Sequence, residues 1–148
     1  MRVKGAGEMQ IKLATINDAA SLFELNKLFG NITALALLKE SLVRNKDEIV
    51  SVAYDDNFAV GFCDGFLNRS ICYSENRAYI EALYVREGYR RQGIGKALIQ
   101  LLIQEFSNRG ISHFHTDTYL KNAVALALYE SIGFVNDGAV LLEKSIAD

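Results

Sequence analysis

The chain has 148 residues, half of them hydrophobic and 23% charged, with 16 Lys+Arg against 18 Asp+Glu for a formal net charge of −2. That length suits one domain with a sizeable core and excludes wholesale disorder. The balanced charge excludes the strong positive field on which nonspecific nucleic-acid binding depends, so no nucleic-acid partner is expected.

Met1–Gly7 is polar and lacks the apolar core of a secretory signal, and Met9 is a second candidate start with Met1–Glu8 as a ragged extension. Met9–Ala14 reads as a short strand, and Thr15 starts a helix with Asp18 three residues on, in a capping-box arrangement. Ala19, Leu22, Phe23 and Leu25 repeat at helical spacing until Gly30-Asn31, and a second helix, about Thr33–Arg44, carries Leu35, Leu38 and Leu42. Two strands follow, Ile49–Tyr54 and Ala59–Leu67, around the turn Asp55-Asp56-Asn57. Gly61 and Gly65 inside the second predict bulges or a close backbone approach.

After a polar loop, Asn68–Asn76, comes a strand over Ala78–Val85 and a helix over Ile94–Ser107 stopped by Gly110. His113–Tyr119 reads as a strand, Asn122–Ser131 as a helix ended by Gly133, and Val140–Lys144 as a last strand. The order β-α-α-β-β-β-α-β-α-β predicts a mixed α/β class in one domain spanning residues 1–148. No apolar run approaches the ~20 residues that span a bilayer. Cys63 and Cys72 are too few for a disulfide framework and read as reduced core or near-core thiols, so a cytoplasmic location without a membrane partner is expected. His113 and His115 would share one strand face, but two histidines alone make an incomplete metal site, and none is expected.

The chemistry concentrates in residues 79–97. A strand runs into Arg90-Arg91-Gln92-Gly93-Ile94-Gly95-Lys96 and then a helix. Unpartnered amides at a helix start, the helix dipole, two glycines without Cβ and three cations together make an anion site. A dinucleotide fingerprint needs a third glycine where Leu98 stands, and a phosphate-binding P-loop needs Gly at Arg90 and Ser/Thr at Ala97, so both fail. Along the preceding strand Ala78 and Ile80 fall on one face and Leu83 and Val85 on the other, the phase switch that a one-residue bulge produces.

Arg90-Arg91-Gln92-Gly93-Ile94-Gly95 resembles the (Q/R)-x-x-G-x-(G/A) motif of the GCN5-related N-acetyltransferase (GNAT) superfamily. Ala78–Val85 is similar to that family's fourth strand, and Asn122, Ala125, Leu128-Tyr129 and Gly133-Phe134 to its last motif. The resemblance implies strands splayed at the cofactor site and transfer of an acetyl group from acetyl-CoA to a primary amine. It implies that the amides of Gln92, Gly93, Gly95 and their neighbours Ile94 and Lys96 hold the pyrophosphate, with Arg90 and Arg91 near the phosphates. Leu83 and Val85, flanking Tyr84, would pair through backbone groups with pantetheine, and Asn122 would contact the cofactor. Tyr129 would be the general acid and Glu81 a candidate base.

The chemistry is consistent with those roles. An alkylammonium has a pKa near ~10.4 and must lose a proton before attack, and a leaving thiolate near ~8.5 is protonated favourably by a phenol near ~10. A bulge would also free the Leu83 amide to donate to the thioester carbonyl, for direct attack in a ternary complex. An acidic cleft from Glu81, Asp117 and Glu24 would favour a cationic acceptor, either a small amine such as a polyamine or aminoglycoside, or a peptide amine. Tyr89–Gly95 and Thr116–Gly133 look somewhat like aminoglycoside 3-N-acetyltransferases. Exposed sheet edges in such domains pair, so a homodimer is an expectation. The competing class is a catalytically silent CoA-binding regulatory module.

Overall fold

The computed structural model describes residues 7–146, so most of the N-terminal extension, Met1–Ala6, lies outside the described residues. The chain divides into two compact units, one ending at Thr116 and one starting at Asp117. The first holds β1 (Met9–Leu13), α1 (Ala19–Phe29), α2 (Leu35–Arg44), β2 (Glu48–Asp55), β3 (Phe58–Asn68), β4 (Arg77–Val85), α3 (Ile94–Asn108) and β5 (Phe114–Thr116). The second holds α4 (Ala123–Ile132). The strands form one mixed sheet in the order β1-β2-β3-β4-β5, antiparallel through β4, with β5 parallel to β4.

The sheet carries helices on both faces. Leu22 and Leu25 of α1 pack on Val52, Ala59 and Phe62. Alternation along β2 turns Ser51 to the opposite face, where its hydroxyl donates to the Leu98 carbonyl of α3 at 3.0 Å. On that side Leu98, Ile99, Leu102 and Phe106 are fully buried. The two strand glycines permit this approach. A Cβ on Gly61 would lie 2.8 Å from the Tyr84 carbonyl oxygen, and one on Gly65 would lie 3.0 Å from the Phe106 ring.

The entry to α1 shows the expected capping box. Thr15 Oγ1 accepts from the Asn17 amide at 3.3 Å, and Asp18 Oδ2 accepts from the Thr15 amide at 2.8 Å. A single 3-10 turn, Ile16–Asp18, precedes the α-helix itself. Asp18 is buried and also takes the Lys12 ammonium at 2.8 Å and the Tyr54 hydroxyl at 2.8 Å. Burial pushes its carboxyl up, but the donors from Lys12, Thr15 and Tyr54 outweigh this and hold it below its ordinary value. The residue thus ties β1, α1 and β2 at one point.

Two strand expectations are corrected. The predicted His113–Tyr119 strand is only Phe114–Thr116, because its ladder covers just Ala78, Tyr79 and Ile80 of β4. The predicted last strand, Val140–Lys144, is irregular, and Val140 and Leu142 are 78% and 86% exposed. Apolar residues make a strand only where a neighbour completes the ladder, and among the described residues this stretch has none. Cys63 is buried as expected, whereas Cys72 is exposed in the β3–β4 loop rather than near the core, because that loop packs no apolar face over it. No helix among the described residues is long and apolar enough to cross a membrane.

Asp18→Ala removes an ionised acceptor from three donors and is expected to cost about 2–3 kcal/mol in urea unfolding at pH 7. The carboxyl titrates below its unfolded value, so its stabilisation is complete above about pH 4 and is lost as pH falls through the folded pKa. The gap between wild type and variant is therefore expected to close in acid.

Candidate active site

The β3–β4 ladder is regular except at one step. Cys63 pairs with Leu83, but Gly65 pairs with Ile80, so the single residue Asp64 faces the two residues Glu81 and Ala82. This is the bulge that the phase switch along Ala78–Val85 predicts, and it brings Ile80 and Leu83 to one face. The displaced Ala82 amide has no strand carbonyl opposite it. It donates instead to Asp64 Oδ1 at 2.9 Å.

Beyond the bulge the ladder resumes with the Arg86 amide donating to the Val60 carbonyl at 2.8 Å. Antiparallel ladders alternate, so the amides of Tyr84 and Arg86 turn toward β3 and those of Leu83 and Val85 turn away from it. On that outer side β5 pairs no further than Ile80↔Thr116. Leu83 to Val85 is therefore an open backbone edge among the described residues, the splay expected at the cofactor site.

The turn after β4 is pinned at several points. Arg86 Nε donates to the Ala59 carbonyl at 2.8 Å, and the Tyr89 hydroxyl donates to Asp55 at 2.9 Å. Arg90 Nε donates to the Val85 carbonyl at 2.8 Å, its guanidinium 5.8 Å from the Tyr84 ring centroid. Arg90 thereby links the open edge to the loop. Arg91 adopts φ 61 and Gly93 φ 81. These left-handed residues curl the chain into the start of α3, where the first intrahelical bond runs from the Ala97 amide to the Gly93 carbonyl at 3.0 Å. The amides of Ile94, Gly95 and Lys96 come before it and lack a carbonyl one turn back. The Ile94 side chain is buried, so only its backbone faces outward. A Cβ on Gly93 would meet nothing within 4 Å, which leaves room for an anion over the amides. The Gln92 side chain bonds back to the Gly88 carbonyl at 3.5 Å, and Arg91 and Lys96 add charge at this opening. The donor set fits a pyrophosphate, and the Leu83–Val85 edge fits a peptide-like arm leading from it.

An open cavity of about 830 Å³ lies on the α1–α2 face of the sheet. Asn26, Phe29 and Leu38 wall it from the helices, and Phe62, Asp64 and Glu81 from the strands. Glu81 is exposed within it and Asp64 is 9% exposed. Burial above all, and then the Glu81 and Glu48 charges, push the Asp64 carboxyl up to about 8, against the lowering effect of the Ala82 amide. Asp64 therefore keeps its proton to higher pH than an ordinary carboxyl, with Glu81 facing it across the bulge. The sequence reading missed this residue. Its one signal was a carboxylate in the apolar run Val60–Phe66, where an unpaired charge is costly. Glu24, expected in an acidic cleft, instead pairs with Lys27 at 2.9 Å on the exposed side of α1, one turn away along the same helix face. Glu48 is the third acid lining the cavity.

The remaining expected residues belong to the second unit. Asn122 caps α4, its Oδ1 accepting from the Ala125 amide at 3.1 Å. Tyr129 is buried on that helix, its ring edge-on to Phe134 at 5.6 Å, and Gly133 at φ 105 ends the helix. Asp117 opens this second unit directly after β5, which belongs to the first, and Tyr119 is 75% exposed. His113 and His115 share a face as expected, their rings 5.1 Å apart.

Residues 17–134 match the model of the acetyltransferase (GNAT) family. The chain belongs to that family. The chain is 48% identical over 46 residues to the [ribosomal protein bS18]-alanine N-acetyltransferase of Escherichia coli (strain K12), a match covering 31% of either chain. The chain thus spans about a third of the length of that relative. It is 32% identical over 99 residues to an aminoglycoside N(6')-acetyltransferase type 1 of Klebsiella aerogenes, covering 66% of this chain and 64% of the relative. That relative carries the N(6') designation rather than the 3-N of the sequence resemblance. Among solved structures, an aminoglycoside acetyltransferase from an uncultured soil metagenomic sample superposes with a TM-score of 0.84 at 23% identity, covering 94% and 97% of the two chains. The aminoglycoside N-acetyltransferase AAC(6')-Iy in complex with CoA gives a TM-score of 0.82 at 20% identity, covering 99% and 100%. Both are likenesses of fold.

Gly93→Val would place a β-branched side chain at φ 81 and into the space over the α3 amides. Calorimetric titration with CoA is expected to show affinity at least about tenfold weaker, with an unchanged far-ultraviolet spectrum. Full affinity in the folded variant would contradict the cradle.

Proposed function

We propose that the protein is an acetyl-CoA-dependent N-acetyltransferase acting on a small cationic primary amine. The observation that carries this reading is the continuity of three features in one unit. An amide cradle at the start of α3 leads to the open edge Leu83–Val85, and the bulge at that edge adjoins a cavity holding Glu81. The family membership, and a neighbour of the same fold solved with CoA, support the same cosubstrate.

In this reading the cradle amides and the Arg91 and Lys96 charges hold the diphosphate, while Leu83 and Val85 bond the pantetheine amides as an added strand would. The Leu83 amide points at the thioester oxygen, where negative charge grows as the carbonyl is attacked. Glu81 takes the ammonium proton, directly or through water, so that the neutral amine can attack. The C–N bond forms, the C–S bond breaks, and the departing thiolate takes a proton from Tyr129. The second proton lost by the acetylated nitrogen returns to the Tyr129 phenolate through water. No protein nucleophile enters, and both substrates are bound together. Asn122 contributes to cofactor binding, its Oδ1 also accepting the cap bond from the Ala125 amide.

The cavity walls favour the acceptor class. Glu81 and Glu48 attract a cation, and Asn26 offers neutral hydrogen bonds beside Phe29 and Leu38, while the Ser41 hydroxyl donates to Glu48 at 2.8 Å. A compact amine with further amino or hydroxyl groups meets those demands. The relatives are named for an aminoglycoside in one case and for an alanine of ribosomal protein bS18 in the other, which supports an amine acceptor in a small molecule or in a protein.

Incubation with acetyl-CoA and a panel of polyamines, aminoglycosides and N-terminal alanine peptides, read by free thiol release, tests the reading. Stimulation by at least one small polycationic amine is expected. CoA binding with no stimulation by any amine would favour a silent regulatory module. With an accepted amine, Tyr129→Phe is expected to lower kcat at least about tenfold while leaving CoA affinity within about twofold. Unchanged kcat would remove Tyr129 from the acid role.

A further inference from the structure

Asp64 sits where backbone geometry and acid–base chemistry meet. It is the single β3 residue opposite the two-residue bulge, and its Oδ1 is the acceptor that satisfies the Ala82 amide at 2.9 Å. Its side chain lines the same cavity as Glu81, which shares the bulge with Ala82 directly opposite it. With one oxygen facing an amide donor, the other oxygen must carry a proton if it is to hydrogen-bond a carboxylate.

We propose that Asp64, in its neutral acid form, is a positioning residue for amine acetylation: one oxygen holds the bulge at Ala82, and its hydroxyl donates to the Glu81 carboxylate. This rests on the acetyltransferase reading of the site. It goes beyond that reading in assigning a second carboxyl, on a different strand, to the reaction. The Oδ1 contact sets where the chain leaves the bulge and therefore where the Leu83 amide points. The hydroxyl fixes the orientation of the Glu81 carboxylate without neutralising it, so Glu81 remains able to accept the substrate's proton.

The surroundings keep Asp64 protonated. Glu81 approaches from β4 and Glu48 from β2, while α1 and α2 turn Asn26 and Ser41, but no charge, into the cavity. The two cations of the cavity wall are engaged elsewhere. Lys46 donates to the Val43 carbonyl at 3.3 Å, and Arg109 pairs with Glu105 at 3.1 Å. The adjacent Cys63 thiol is buried and is itself pushed up, by burial first and by Asp64 second. The Asp64 carboxyl, raised to about 8, agrees with this assignment. When it ionises, a second negative charge lies against Glu81, and the hydroxyl that oriented Glu81 is gone.

Asparagine imitates the neutral acid, since its oxygen can accept from Ala82 and its NH2 can donate to Glu81, and it cannot ionise. Alanine does neither. Steady-state kinetics from pH 6 to pH 9.5 with acetyl-CoA and an accepted amine are expected to show kcat lowered at least about tenfold in Asp64→Ala. Asp64→Asn is expected to recover at least about fivefold of that loss at pH 7, and its kcat relative to wild type is expected to rise by about threefold or more across pH 8, where only the wild type ionises. Infrared difference spectra give a reading independent of turnover. A protonated carboxyl band at pH 7 is expected in wild type and is expected to be absent from Asp64→Asn.

The stability sign is also fixed. A carboxyl whose folded pKa is raised costs stability progressively as pH rises from about 4 to about 8, so the melting temperature of Asp64→Asn is expected to gain on wild type over that window. An Asn variant as impaired as a folded Ala variant would overturn the proposal, as would a pH-independent Asn/wild-type ratio or a wild type without the carboxyl band. If wild type accepts no amine, the function reading fails, and the infrared and melting measurements still decide the state of the carboxyl pair.

Discussion

One extra residue in β4 governs the arrangement of the site. Because Glu81 and Ala82 together face Asp64, the strand resumes its ladder with Leu83 and Val85 turned outward. Without the extra residue, β4 would present the opposite set of amides to that edge. β5 pairs only as far as Ile80, so among the described residues no strand pairs with the outward amides. The same bulge puts Glu81 into the cavity on the helix side. Backbone donors and a carboxylate are thus brought to one place by a single irregularity of pairing.

That irregularity requires an acceptor for the displaced Ala82 amide, and a buried amide left unsatisfied would cost roughly 1–3 kcal/mol. Asp64 supplies the acceptor. A buried carboxylate would itself be expensive beside Glu81, and protonation removes that charge. The resulting acid–carboxylate pair is a common physical solution when two carboxyls share a dry site, because only one of them needs to ionise. Structural and chemical demands coincide on this residue, which contrasts with Asp18. The Asp18 carboxyl has three donors and is stabilised in its charged form, tying β1, α1 and β2 together.

Much of this was legible from residue patterns where the physics is local. The Thr15…Asp18 capping box needs only a spacing of three, and the anion cradle needs only two glycines and flanking cations at the start of a helix. The bulge was readable because Ala78 and Ile80 fall out of phase with Leu83 and Val85. Asp64 was not, because its meaning depends on a partner 18 residues away across the ladder. The acid wall was misread for a similar reason, since Glu24 has the right charge but sits on the exposed side of α1, while Glu48 enters the cavity from β2. The Val140–Lys144 strand failed because apolar content does not specify a pairing partner.

Amide hydrogen exchange followed by nuclear magnetic resonance, with and without CoA, tests the central claim most directly. The outward amides of Leu83 and Val85 are predicted to exchange at least about tenfold more slowly when CoA is bound, whereas the Tyr84 amide, already turned to β3, changes little. Saturation with CoA that leaves Leu83 and Val85 exchanging at their free rates would contradict the account.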